Sequence, residues 1–162
     1  MPAYSLALLV LFLDQLSKVL VEMYIEIPGR TIAILDSFDL MRLTFVKNPG
    51  AAWGILQGHR VLFIVVAIVV TAACIWVIQK FKRDVIKFPF ALILGGGLGN
   101  MMDRLFLRSG VVDFLDVGIY SYRWPTFNIA DIALTVGVGW IAYLIFIGSC
   151  PLEDYLFCEN SD

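Results

Sequence analysis

The chain is poor in the residues that hold metals, with one histidine, His59, and three cysteines among 162 residues. There is no HExxH pair, no second histidine to partner the first, and no Cys/His cluster at ligand spacing, so a zinc hydrolase is not expected. A GxxxxGK[ST] loop is also missing, which argues against nucleotide-driven transport by this chain. Cys74, Cys150 and Cys158 follow no pairing or CxxC pattern and read as free thiols in a reducing compartment, with Cys150 close enough to a membrane for acylation. Charged residues make up only 16% of the chain and leave a net charge of -2, without the basic face that nucleic acid requires. The N-terminal apolar stretch lacks the basic start of a cleavable signal, and Asp14, Gln15, Lys18 and Glu22 interrupt it, so it reads as a retained helix.

What is abundant is apolar surface. Hydrophobic residues account for 60% of the chain, with a mean hydropathy of +0.84, which places it among integral membrane proteins. A hydrocarbon core of about 30 Å needs about 20 helical residues, and four windows supply them: 4–24, 61–79, 86–106 and 129–148. The expected architecture is a single α-helical membrane domain over 1–162, with four transmembrane helices, a small extracytoplasmic β-sheet within 27–58 and an outer loop at 107–128. The sheet is read from alternation around Ile32, Ile34, Phe38, Leu40, Leu43 and Phe45, bounded by Pro28-Gly29 and Asn48-Pro49-Gly50. Lys80, Lys82, Arg83 and Lys87 crowd the link between the second and third windows. That link should be cytoplasmic, which puts both termini inside and the two longer loops outside. The run Gly95-Gly96-Gly97-Leu98-Gly99 suits close helix packing.

Polar residues at membrane depth are costly and ask for a function. Asp14, Lys18 and Glu22 recur at i, i+4 and i+8 on one helix face, an order that suits an ion pair within the bundle. Ser17 next to Lys18 cannot form a dyad, because neighbouring helical side chains diverge by about 100°. Asn100 and Asp103 share a face at the end of the third window and can reach one polar pocket, with Arg104 beside them as a second cation. Asp113 lies in a short extended segment, Val111-Val112-Asp113-Phe114. Asp131 follows Asn128 by three residues at the start of the fourth window, as a helix cap would. A cap does not explain Asp113, and the intervening segment is long enough to bring the two carboxyls together. Two carboxyls sharing one proton supply a base and an acid at once and can turn water against an amide without a metal. The rival reading is a small transporter or channel subunit with Asp14, Lys18, Asp103 and Asp131 along an ion path. That reading predicts carboxylates spread through the membrane, whereas most gather toward the outer side.

Five motifs in order complete the picture: Asp14-Gln15-Leu16-Ser17-Lys18, Asn48-Pro49-Gly50-Ala51-Ala52-Trp53-Gly54, Gly99-Asn100-Met101-Met102-Asp103-Arg104, Val111-Val112-Asp113-Phe114 and Phe127-Asn128-Ile129-Ala130-Asp131. Together they resemble the bacterial lipoprotein signal peptidase (signal peptidase II) family. The resemblance implies an aspartic endopeptidase of the inner membrane that cuts prolipoproteins before a diacylglyceryl-modified cysteine, as a monomer and without a cofactor. It puts the catalytic pair on Asp113 and Asp131, and substrate-binding or supporting roles on Asp14, Lys18, Asn48, Gly50, Asn100, Asp103, Arg104 and Asn128. It also implies a substrate-cradling outer sheet and a mobile flap in the segment before Asp131. Trp53 and the acidic, lysine-free tail depart from the family's pattern.

Overall fold

Apolar runs of this length form helices because a helix satisfies every backbone polar group internally, which lipid cannot do. The computed structural model describes residues 2–25, 31–35, 39–50, 58–107 and 109–148. Its elements in chain order are α1 (Pro2–Ile25), β1 (Thr31–Leu35), β2 (Met41–Asn48), α2 (Arg60–Lys80), α3 (Asp84–Phe106), β3 (Val111–Ile119), β4 (Tyr122–Arg123) and α4 (Ile129–Phe146). Of the four expected spans, α2, α3 and α4 are long and apolar enough to cross a membrane. Helix α1 has 24 residues but carries Asp14, Lys18 and Glu22 along its length. The Ala51–Gly54 part of the second motif, Cys150, Cys158 and the acidic tail lie outside the described residues.

Helix α3 is the centre of the bundle, with α1, α2 and α4 all packed on it. In lipid this packing cannot come from hiding apolar surface, since the alternative partner is equally apolar; close backbone approach supplies it. A Cβ on Gly95 would stand 2.6 Å from the Ala7 carbonyl oxygen of α1, and one on Gly96 would stand 2.5 Å from the Ala130 oxygen of α4. The glycine run therefore packs two neighbours at once. The α2–α3 link, with its basic residues, lies at one end of the bundle, and the sheet follows the C-terminus of α3 at the other.

The sheet has the order β1-β2-β3-β4, with antiparallel neighbours. Half of the outer loop expected at 107–128 is strand, so the sheet extends beyond the expected 27–58 and takes in β3 and β4. Strand β3 evades a period-two reading because its residues from Val111 to Phe114 are all buried, with core on one face and site on the other. Val21 and Ile25 of α1 close a small core with Phe45, Val112 and Phe114, which ties the sheet to the bundle.

One irregularity positions the site. Leu43 pairs with Leu115, but Val46 pairs with Asp113, so β2 carries one extra residue between them. Side chains alternate across a strand, and an extra residue flips everything beyond it to the other face. Without the bulge Lys47 would share a face with Asp113. With it, Asn48 does.

Candidate functional site

Asn128 is the hub of the polar end. It caps α4, its side-chain oxygen accepting from the Asp131 amide at 3.0 Å while the Asp131 carboxylate accepts from the Asn128 amide at 3.2 Å. Its side-chain nitrogen donates to Asp113 Oδ1 at 2.7 Å. A single fully buried asparagine thus holds both aspartates. The other oxygen of Asp113 accepts from Asn48 Nδ2 at 2.9 Å, and Asp131 Oδ1 accepts from Asn100 Nδ2 at 2.8 Å. Asp131 is a helix cap and a site residue at once, because its two oxygens face different partners.

Asp113 lies on β3 outside the helices and is only 3% exposed. Burial, opposed by the Asn48 hydrogen bond and reinforced by the charge of Asp131, pushes its carboxyl up to about 7.

Behind this pair, away from the cavity, lies a second layer. Lys18 Nζ is 2.7 Å from Asp14 Oδ2 and 2.9 Å from Asp103 Oδ2, and it donates to Asn100 Oδ1 at 3.1 Å. Asp14 Oδ1 accepts from the Ala130 amide at 2.9 Å, in the first turn of α4, and Asp103 Oδ2 accepts from the Val112 amide at 3.1 Å. Each of the two carboxylates thus orients the backbone beside one of the site aspartates. Asn100 and Asp103 do reach one polar cluster, since both bond the Lys18 ammonium; of the two, Asn100 also lines the cavity. Glu22 leaves the buried row and pairs with Lys47 on β2 at 3.1 Å.

The cavity has a volume of about 820 Å³. Asn48, Gly50, Asn100, Arg104, Asp113 and Asp131 form its polar end. Its walls descend along α2 through Phe63, Val66, Ala67 and Val70, and along α4 through Ile132, Leu134 and Val136, while Trp124 to Phe127 close the side before α4. Arg104 donates to the Gly50 carbonyl at 3.1 Å and lies 4.7 Å from the centre of the Phe63 ring. Such a space offers a charged, hydrogen-bonding head and an apolar tail open between two helices. Among the described residues, no group of three or more His, Cys, Asp or Glu side chains is placed to hold a metal ion.

Sequence reasoning gave no role to Gln15, whose amide donates to Asp14 Oδ2 at 3.1 Å, the Gly99 carbonyl at 3.2 Å and Asp103 Oδ1 at 3.0 Å. A polar amide in an apolar helix next to Asp14 was the available signal. It also missed Arg123 of β4, whose Nε donates to Asp116 at 2.9 Å and which bonds the Asp39 carbonyl, because nothing local links those residues.

Comparison with known proteins agrees with this geometry. The lipoprotein signal peptidase of Halalkalibacterium halodurans is 45% identical over 138 residues, covering 84% of this chain and 86% of the relative. That of Anoxybacillus flavithermus is 44% identical over 137 residues, covering 83% and 79%. Among solved structures, a bacterial membrane enzyme determined in meso at 2.3 Å superposes with a TM-score of 0.80 at 30% identity, over 99% of this chain and 93% of that one. A second, at 1.9 Å, gives 0.75 at 32% identity over 89% and 92%. The family description "Signal peptidase (SPase) II" matches residues 6–147, and the chain therefore belongs to the signal peptidase II family.

Proposed function

We propose that the chain is an aspartic endopeptidase that removes the signal peptide from prolipoproteins just before a diacylglyceryl-modified cysteine, with Asp113 and Asp131 as its catalytic pair. The observation that carries this reading is the attachment of both carboxyls to Asn128, Asp113 to its side-chain amide and Asp131 to its backbone amide, at the polar end of a cavity whose other end is apolar. One proton is shared between the two, since neighbouring carboxyls shielded from water cannot easily both ionise. The ionised member takes a proton from water as the water oxygen attacks the scissile carbonyl carbon, and the protonated member gives its proton to the carbonyl oxygen. Collapse of the tetrahedral adduct breaks the C–N bond: the leaving nitrogen receives the proton taken from water, and an adduct hydroxyl gives its proton back to the other carboxylate as the new carboxyl group forms. Both carboxyls then return to sharing one proton.

The remaining residues divide by position. Asn48, Gly50, Asn100 and Arg104 face the cavity and suit peptide binding, whereas Asp14, Lys18 and Asp103 hold the backbones beside the pair, and Asn128 sets the pair's spacing. The apolar walls of α2 and α4 suit acyl chains that remain in lipid while the peptide bond meets water. We read the chain as a monomer. We read all four helices as spanning the inner membrane, with both termini inside and the site outward. The basic α2–α3 link at the end of the bundle opposite the sheet supports this orientation; a reporter fused after Arg83 should be cytoplasmic and one near Ser121 external, and the reverse would overturn it.

The test is cleavage by the purified protein in lipid of two prolipoproteins that differ only in diacylglyceryl modification of the cysteine. The modified one should be cut, before that cysteine, and the unmodified one should not. Equal cleavage of both, or of neither, would remove the proposed substrate class.

A further inference from the structure

Four glycines lie within one turn and a half of α3, and three of them are explained by packing. A Cβ on Gly95, Gly96 or Gly99 would meet Ala7, Ala130 or Asp14 at 2.6, 2.5 or 2.5 Å. Gly97 is different. A Cβ there would meet nothing within 4 Å, and its φ is not in the left-handed region. Neither packing nor backbone conformation calls for a glycine, which is among the poorest residues in a helix interior. What Gly97 does is line the cavity.

Its depth gives the meaning. Gly97 precedes Asn100 by three residues, so at 1.5 Å per residue it lies about 4.5 Å farther from the sheet, on the helix face that continues to Arg104. Opposite it, Val70 of α2 and Leu134 of α4 line the same apolar space. The helices α2 and α4 both lean on α3, and Gly97 is part of the floor between them. Any side chain added there would fill the part of the cavity immediately below the carboxyl pair.

We propose that Gly97 is a specificity-determining residue: its missing side chain leaves the room through which the acyl chains of the lipid-modified cysteine pass from the carboxyl pair into the membrane. This rests on the peptidase reading above, and adds that acyl bulk is gauged at this point of α3. A pocket that must accept one more or one fewer methylene discriminates by about 10- to 200-fold, so an added side chain should act on long chains more than on short ones.

The experiment compares wild type with Gly97→Ala and Gly97→Leu on two prolipoproteins, one bearing a diacylglyceryl group with short acyl chains and one with long chains. The quantity is the ratio of kcat/KM for the long substrate to that for the short one. It should fall about tenfold or more in Gly97→Leu, mainly through KM, and by a smaller factor in Gly97→Ala. Both proteins should melt no lower than wild type. An unchanged ratio in a folded variant would overturn the proposal, whether absolute activity is kept or lowered. If Gly97→Leu does not fold, the ratio in Gly97→Ala decides in the same way. Failure of the wild type to cut either substrate would sink the peptidase reading instead, and so the two failures are told apart.

Discussion

Replacing Asp113 by asparagine should abolish cleavage and, at neutral pH, make the protein harder to unfold. The carboxyl is raised from 3.8 to about 7, and at 1.36 kcal/mol per pH unit this makes ionisation at pH 7 cost the fold about 4 kcal/mol. The sign follows from proton binding. The folded state holds this proton more tightly than the unfolded chain does, so the contribution is fully present below about pH 4 and is lost as pH rises to about 7. Asparagine removes that cost but turns an amide donor toward one of two donors, Asn48 Nδ2 at 2.9 Å or Asn128 Nδ2 at 2.7 Å. An unmade buried hydrogen bond costs about 1 to 3 kcal/mol. The net expectation is a gain of about 1 to 3 kcal/mol at pH 7.5 that disappears, or changes sign, near pH 4. The assay is thermal unfolding of wild type and Asp113→Asn in the same detergent across pH 4 to 8, alongside cleavage of the lipid-modified substrate. A melting difference that ignores pH would refute the electrostatic argument, and substantial cleavage by Asp113→Asn would refute the catalytic one.

Asp131→Asn should also remove cleavage, and the double mutant Asp113→Asn with Asp131→Asn should be little worse than either single change, because parts of one catalytic unit do not add; losses that multiply in single-turnover cleavage would speak against a pair. In wild type, activity should fall as pH rises past about 7 and the shared proton is lost. Asn48→Ala should keep measurable turnover and move that alkaline limb upward, since the Asn48 hydrogen bond holds the Asp113 carboxyl down; a pH–rate profile with the limb unmoved or lowered would show that Asn48 does not tune it. Lys18→Met leaves Asp14 and Asp103 buried without the cation that lies 2.7 and 2.9 Å from them. It should cost about 3 to 5 kcal/mol, seen as a lower melting temperature, and adding Asp103→Asn should recover part of the loss.

The sequence carried the helices well because their signal is local. Length and hydropathy alone located the four helical windows, to within two residues of the ends of α1, α2, α3 and α4. The Asn128–Asp131 cap was likewise legible, since both partners lie within one turn. The row of Asp14 and Lys18 followed from helical periodicity, though periodicity also drew in Glu22, which packs elsewhere because Lys47 on β2 is within its reach. The family motifs named the residues of the polar end but not which would face substrate.

Tertiary structure decided the rest, because it depends on contacts between distant segments. Strand β3 has no alternation to reveal it, so its membership in the sheet comes from pairing with β2 and not from its own pattern. That Asn100 and Asp103 both meet Lys18 while Asn100 also reaches Asp131 is set by where α1 and α4 lie. The bulge in β2 puts Asn48 rather than Lys47 beside Asp113. A one-residue slip reverses every side chain beyond it, and no local feature of the sequence records on which side of Asp113 the slip falls.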